Sequence, residues 1–242
     1  MKTKILNSFN YLRYSKDLLT SILFIFPLLI LYEVLSFLIF YDKDYAIRNS
    51  ADIFLRSYFY NIGTSSQFLY IIFLSLIVFI YIYVNKKNYY NYKFNSFFNI
   101  IMIFEGIVYG FLLIIILNGY NYFLNTSIYV YDDFFLNFYF SLGAGVWEEI
   151  LFRLFIYNII FLIVNKLLNN DVSYILSIVV SSILFSLFHY FGQMADVITL
   201  KSFIIRFVAG IILCLIYIKR GLGISCMTHY SYDVLIFALP II

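Results

Sequence analysis

Charge is what this sequence has least of: Asp, Glu, Lys and Arg make up 12% of its 242 residues, about half the share in an ordinary soluble domain. Proline occurs twice, cysteine twice and histidine twice. The scarcity of charge, with 64% hydrophobic and 23% aromatic residues, excludes a soluble protein and points to a polytopic membrane protein. The formal net charge of +3 is spread over the ends of apolar runs rather than gathered in a patch, which excludes nucleic acid as a partner. Cys214 and Cys226 have neither zinc-type nor redox-type spacing and read as small packing residues, not as a disulfide. The abundance of Tyr, Phe, Ile and Asn looks like codon bias at lipid-facing positions and says little about function.

What is abundant is apolar runs of membrane-spanning length. A helix needs roughly 20 apolar residues to cross the hydrocarbon core. On that ruler 18–41, 68–84, 97–117, 134–164, 172–191, 202–218 and 222–242 are spans. The fourth is too long for one crossing and has Gly143 and Gly145 in its middle, so it is expected to be a half-helix followed by a full helix near the paired glutamates. The expected fold is therefore all-α, a transmembrane bundle of seven to eight helices around a polar cavity, forming one membrane domain over 1–242. Lys2, Lys4, Arg13 and Lys16 precede the first run, which is too long for a signal-peptide core. With Lys86, Lys87, Lys93, Lys166, Lys219 and Arg220 they outnumber Lys43, Arg48 and Arg56 on the other side, placing the N-terminus in the cytoplasm of a multi-pass cell-membrane protein.

Ionisable groups inside a membrane are functional candidates by default. Here they are Glu33, Glu105, Glu148, Glu149, Arg153, His189, Arg206, His229 and Asp233, a list that includes both histidines. Glu149 and Arg153 are four apart, a spacing that stacks a carboxylate on a guanidinium along one helix face. Glu148 lies about 100° around the helix, with no basic partner on its own face. It must be neutral by burial, or be held next to water by a donor from elsewhere. His189 ends FSLFH, and read alone is as readily an interfacial ring bonded to a backbone carbonyl. His229 and Asp233 in HYSYD share a helix face, and the plain reading is a hydrogen bond between them. Glu105, flanked by Gly106 and Gly110 as a helix-contact face, reads as a packed residue partnered by Arg206.

Taken together, the three segments have a chemical sense. A carboxylate and a histidine from different helices can share a water and take its proton as it attacks a peptide carbonyl. A second histidine can hold the oxygen of the tetrahedral intermediate. No serine or cysteine nucleophile with a partner base stands out. Three ligands from Glu148, His189 and His229 would also suit zinc with a water in the fourth position, but His-Glu-x-x-His is lacking and the metal-free route is favoured.

EEILFR at 148–153, FSLFH at 185–189 and HYSYD at 229–233, in that order on separate apolar runs, resemble the CPBP family of intramembrane proteases, also called Abi proteins. That family includes type II CAAX prenyl endopeptidases and bacteriocin-processing or self-immunity proteins. The resemblance covers 143–242 as a catalytic core and leaves 1–133 as additional transmembrane helices. It implies a glutamate-dependent intramembrane endopeptidase without a cofactor, acting on a membrane-associated peptide or protein. Glu148 and His189 would activate water, Glu149 and Arg153 would support them, and His229 with position 233 would form the oxyanion site. Asp233 stands where the family pattern also has asparagine. A carboxylate cannot donate to an oxyanion unless it carries a proton, so Asp233 is expected to accept a hydrogen bond from His229 and keep that ring cationic. Non-enzymatic immunity or membrane scaffolding is the alternative. Alternate crossings put His189 and His229 roughly 15–20 Å apart in depth, in conflict with a shared water.

Overall fold

The computed structural model describes residues 10–42, 46–60, 95–124, 134–191 and 195–238, with single residues at 76 and 83. All the regular structure among them is helical. A helical stretch over 10–16 leads into α1 (Leu18–Ile39), whose first turn is capped by Asp17 accepting from the Thr20 N–H at 2.9 Å. After it come α2 (Ser50–Tyr60) and α3 (Ser96–Leu124). The next helix runs without a break through α4 (Phe134–Gly143), two π-helical stretches (Ala144–Glu148 and Ile150–Tyr157) and α5 (Asn158–Val164). Next are α6 (Asn170–Phe188), α7 (Leu200–Arg220) and α8 (Leu222–Ala238).

Four described helices are long and apolar enough to cross a membrane: Leu18–Ile39, Ser96–Leu117, Asn170–Phe188 and Leu200–Arg220. Their outward faces carry large apolar side chains such as Phe37 and Leu38 on α1, Phe104 and Val108 on α3, and Ile175 on α6. An apolar exterior on several such helices makes this a multi-pass membrane protein. The expected span 68–84 lies outside the described residues apart from Leu76 and Tyr83, and the last run is described only as far as residue 238.

The half-helix expected at Gly143 is absent. Gly143 and Glu149 keep right-handed helical dihedrals (φ −60°, ψ −49° and φ −67°, ψ −38°), and the chain changes its winding there instead of breaking. π-helical stretches hydrogen-bond from i to i+5 and are rare, recurring at functional sites. Here the wider winding takes in every residue of EEILFR except Glu149.

The centre of the bundle is α8, which packs against α1, α3, α4, α7 and the first π stretch. Two close approaches allow this. A Cβ on Gly145 would lie 2.6 Å from the Tyr230 Cβ and 2.7 Å from its backbone nitrogen, so only glycine lets the glutamate-bearing helix lie against α8. On the other side of α8, Gly106 and Gly110 of α3 meet Met227 and Ser231, the contact face expected of them. Gly221, with φ +93°, makes the tight turn from α7 into α8 beneath the backbone of Ser15 and Lys16. Residues 220–229 are consequently all buried, and α8 starts inside the bundle rather than at a membrane face.

One expected pair differs. Glu105 is bound bidentately by Arg220, at 2.5 and 2.8 Å, and by the Tyr11 hydroxyl, not by Arg206, which pairs with Asp196. Arg220 closes α7 on the side of the bundle where α3 faces the 10–16 helix, whereas Arg206 is near the other end of α7. Both cysteines are buried and free.

Candidate active site

Glu148 closes the first π stretch, with its side chain turned into the bundle and 8% exposed. Its Oε1 accepts a hydrogen bond from Nδ2 of Asn49 at 2.8 Å. Its Oε2 faces two rings: Nε2 of His189 at 3.7 Å and Nε2 of His229 at 4.0 Å. The donor that Glu148 lacks on its own helix thus comes from the segment before α2.

The two rings are oriented by opposite kinds of partner. His189 immediately follows α6, and its Nδ1 lies 2.9 Å from the Phe185 carbonyl. A carbonyl only accepts, so Nδ1 carries the hydrogen and Nε2 of the neutral ring presents its lone pair to Glu148. His229, at the end of the fully buried first part of α8, has its Nδ1 3.0 Å from Oε1 of Glu149. Glu149 is fully buried and carries three partners: His229, the Ser225 hydroxyl donating at 2.5 Å, and Nε of Arg153 in an ion pair at 3.3 Å. The Arg153 guanidinium lies 4.5 Å above the Phe185 ring, and the edge of that ring packs on both histidines. Phe185 therefore ties the arginine and the two imidazoles into one rigid unit.

The structure brings Glu148, Glu149, Arg153, His189, His229 and Asp233 together from three helices. It removes the conflict in depth, because α8 begins inside the bundle and His229 reaches the same carboxylate oxygen as His189. One expected bond is replaced. Asp233 Oδ2 is 3.8 Å from Nε2 of His229, outside hydrogen-bond distance, and Asp233 is the most exposed acid of the group at 27%. The partner that holds His229 is Glu149, on the other ring nitrogen. Glu149 wins because it is fully buried beside α8, with Ser225 and Arg153 holding its Oε2 so that Oε1 faces His229. Among the described residues no group of three or more His, Cys, Asp or Glu side chains is gathered to hold a metal ion.

Sequence reasoning missed two residues. Ser225 carries no signal beyond being a small residue one turn before His229. Asn49 is visible as an N-cap, since NSAD precedes an amphipathic stretch, but nothing local says that its other end reaches a residue 99 positions away.

A membrane helix bundle that gathers a buried glutamate and two histidines, one held by a backbone carbonyl and one by a carboxylate, has the makings of a hydrolase site. Residues 131–235 match the family model of the Type II CAAX prenyl endopeptidase Rce1-like proteins, so this stretch of the chain is similar to that family. The match contains every site residue named from the sequence and excludes Asn49. No curated protein and no solved structure matches the chain.

Proposed function

We propose that this protein is an intramembrane endopeptidase that hydrolyses a peptide bond of a membrane-associated peptide or protein with water activated by Glu148 and His189. The observation that carries the reading is the 3.7 Å gap between Oε2 of Glu148 and Nε2 of His189. An ionised carboxylate and a neutral imidazole nitrogen are both acceptors, and facing each other they need a hydrogen donor between them. A water fills that role, and losing a proton to either acceptor makes it the nucleophile. The rest follows from the same atoms. As the water oxygen bonds to the carbonyl carbon, negative charge moves to the carbonyl oxygen, and His229, whose Nε2 lies 4.0 Å from the same Glu148 oxygen, is the donor assigned to it. Glu149 accepts from Nδ1, and a ring that also carries a hydrogen on Nε2 donates from there. The proton held by Glu148 then passes to the amide nitrogen as the C–N bond breaks, restoring the carboxylate.

The family match supports hydrolysis of a peptide bond, and the buried position of Glu148 supports a site reached from within the membrane. The Lys and Arg distribution supports a cell-membrane protein with its N-terminus in the cytoplasm.

The test uses the purified full-length protein in liposomes with two quenched fluorescent peptides, one farnesylated on a cysteine four residues from its C-terminus and one anchored by an unmodified apolar helix. Cleavage of either by wild type, lost in Glu148→Gln and in His189→Ala, is expected. If wild type cleaves neither, or Glu148→Gln cleaves as fast as wild type, the reading fails. Activity that survives a chelator without stoichiometric zinc supports the metal-free route, and activity lost to the chelator and restored by zinc replaces it.

A further inference from the structure

Asn49 lies outside the matched region and belongs to the first part of the chain, where the sequence carries no motif. Every polar group of this residue is engaged. Its backbone N–H donates to the Tyr32 hydroxyl at 3.2 Å, and its Oδ1 accepts from the Ala51 N–H at 2.8 Å as the N-cap of α2. Because the Ala51 N–H only donates, the side-chain oxygen must face it and the amide nitrogen must face Glu148. The cap thus decides which end of the carboxamide meets the carboxylate.

The segment carrying Asn49 is tied down on both sides. Arg48 bridges Glu33 of α1 at 3.0 and 3.1 Å and Asp52 of α2 at 3.1 Å. Tyr32 donates to Asp52 at 3.2 Å, and Tyr139 donates to the Ile47 carbonyl at 2.9 Å. A Cβ on Gly143 would lie 2.9 Å from the Asn49 Cβ, so the glutamate-bearing helix abuts this residue directly. The buried Oε2 of Glu148 makes no hydrogen bond of its own and points at the two histidines, while Oε1 is held by Asn49.

We infer that Asn49 is a positioning residue for Glu148: capped and clamped, its carboxamide pins one carboxylate oxygen so that the other is aimed at His189. The inference rests on the endopeptidase reading for its kinetic consequence and on the geometry alone for the contact itself. A carboxylate free to rotate about its last bond would turn Oε2 away from the water site. A single charge-assisted hydrogen bond from a rigid donor prevents this.

The deciding variants are Asn49→Ser and Asn49→Asp, both of which keep an oxygen that can cap α2 and remove the amide donor. Each is expected to lower kcat on whichever of the two quenched peptides wild type cleaves by about 10- to 100-fold, the factor carried by a hydrogen bond to a charged group. KM should stay within about twofold, as for loss of an interaction made only in the transition state. In the Glu148→Gln background neither should slow the reaction further, because the route through which Asn49 acts is gone. A residue that merely caps α2 would leave both variants at wild-type kcat, and that outcome overturns the inference. An infrared measurement is independent of cleavage. The Glu148 carboxyl band, identified by its loss in Glu148→Gln, is expected to shift in Asn49→Ser, and an unmoved band overturns the inference. If wild type cleaves neither peptide, the endopeptidase reading fails, and the infrared band still decides whether Asn49 holds Glu148.

Discussion

Two buried charge clusters lie side by side in this molecule, and they are built to opposite rules. In the first, at the junction of α1 and α2, Glu33, Arg48, Asp52 and Arg56 close on one another, two charges of each sign. In the second, Glu148 Oε2, His189, His229 and Asp233 face each other at 3.7 to 4.0 Å, too far for direct hydrogen bonds and near enough for one water lying beside a pair to reach both. Buried ion pairs are held by geometry and by satisfied lone pairs. Four charges that pair with one another in this way hold the chain together, so the first reads as framework. The second leaves a buried acceptor directed at two rings, an unsatisfied group that the proposed water activation would explain. Asn49 connects them, being the next residue after Arg48 in the framework and the donor to Glu148 in the site.

The contrast can be broken first where its effect is largest. Glu148→Gln is nearly isosteric and keeps an oxygen for Asn49, so peptide cleavage should fall by about 10³-fold, within the range for loss of a general base. Its melting temperature in detergent should barely move. A large loss of thermal stability in this variant would put Glu148 with the framework. Glu149→Leu should do the reverse as well as abolish activity. It strands the buried Arg153 and is expected to cost about 3–5 kcal/mol, read by thermal or denaturant unfolding.

A smaller effect is expected from Gly145→Ala, whose new methyl meets the Tyr230 backbone. Overpacking of this kind costs about 1–3 kcal/mol. By moving α8 it should also lower kcat, and a variant with lower stability but unchanged kcat would show that the helix contact does not set the His229 position. Arg48→Met probes the link between the clusters. It should lower melting temperature and cleavage together, whereas Asn49→Ser lowers cleavage alone. Smallest of all is Asp233→Asn. This acid makes no hydrogen bond to His229, and an amide can donate to an oxyanion where a carboxylate cannot. Cleavage is expected to hold or rise, by no more than about fivefold. A loss beyond tenfold would restore the orienting role that the four-residue spacing suggests.

Residue order alone pointed to a membrane helix bundle and named most of the side chains that the bundle brings together. Apolar runs of bilayer length identify membrane helices because hydrocarbon leaves the backbone no other partner. The i to i+4 spacing was enough to pair Glu149 with Arg153 and to single out Glu148 as the acid without a partner on its own helix, since such neighbours lie on one helix face. Short-range periodicity does not report what approaches from elsewhere. The π winding at 144–157, the burial of the α7–α8 turn under Ser15, and the transfer of His229 from Asp233 to Glu149 all depend on packing between helices far apart in sequence. Glu105 met Arg220 instead of Arg206 for the same reason. Asn49 marks the boundary most clearly. Its capping oxygen answers to a backbone N–H two residues away and is legible in NSAD, while its amide nitrogen answers to a carboxylate that only the folded bundle brings within 2.8 Å.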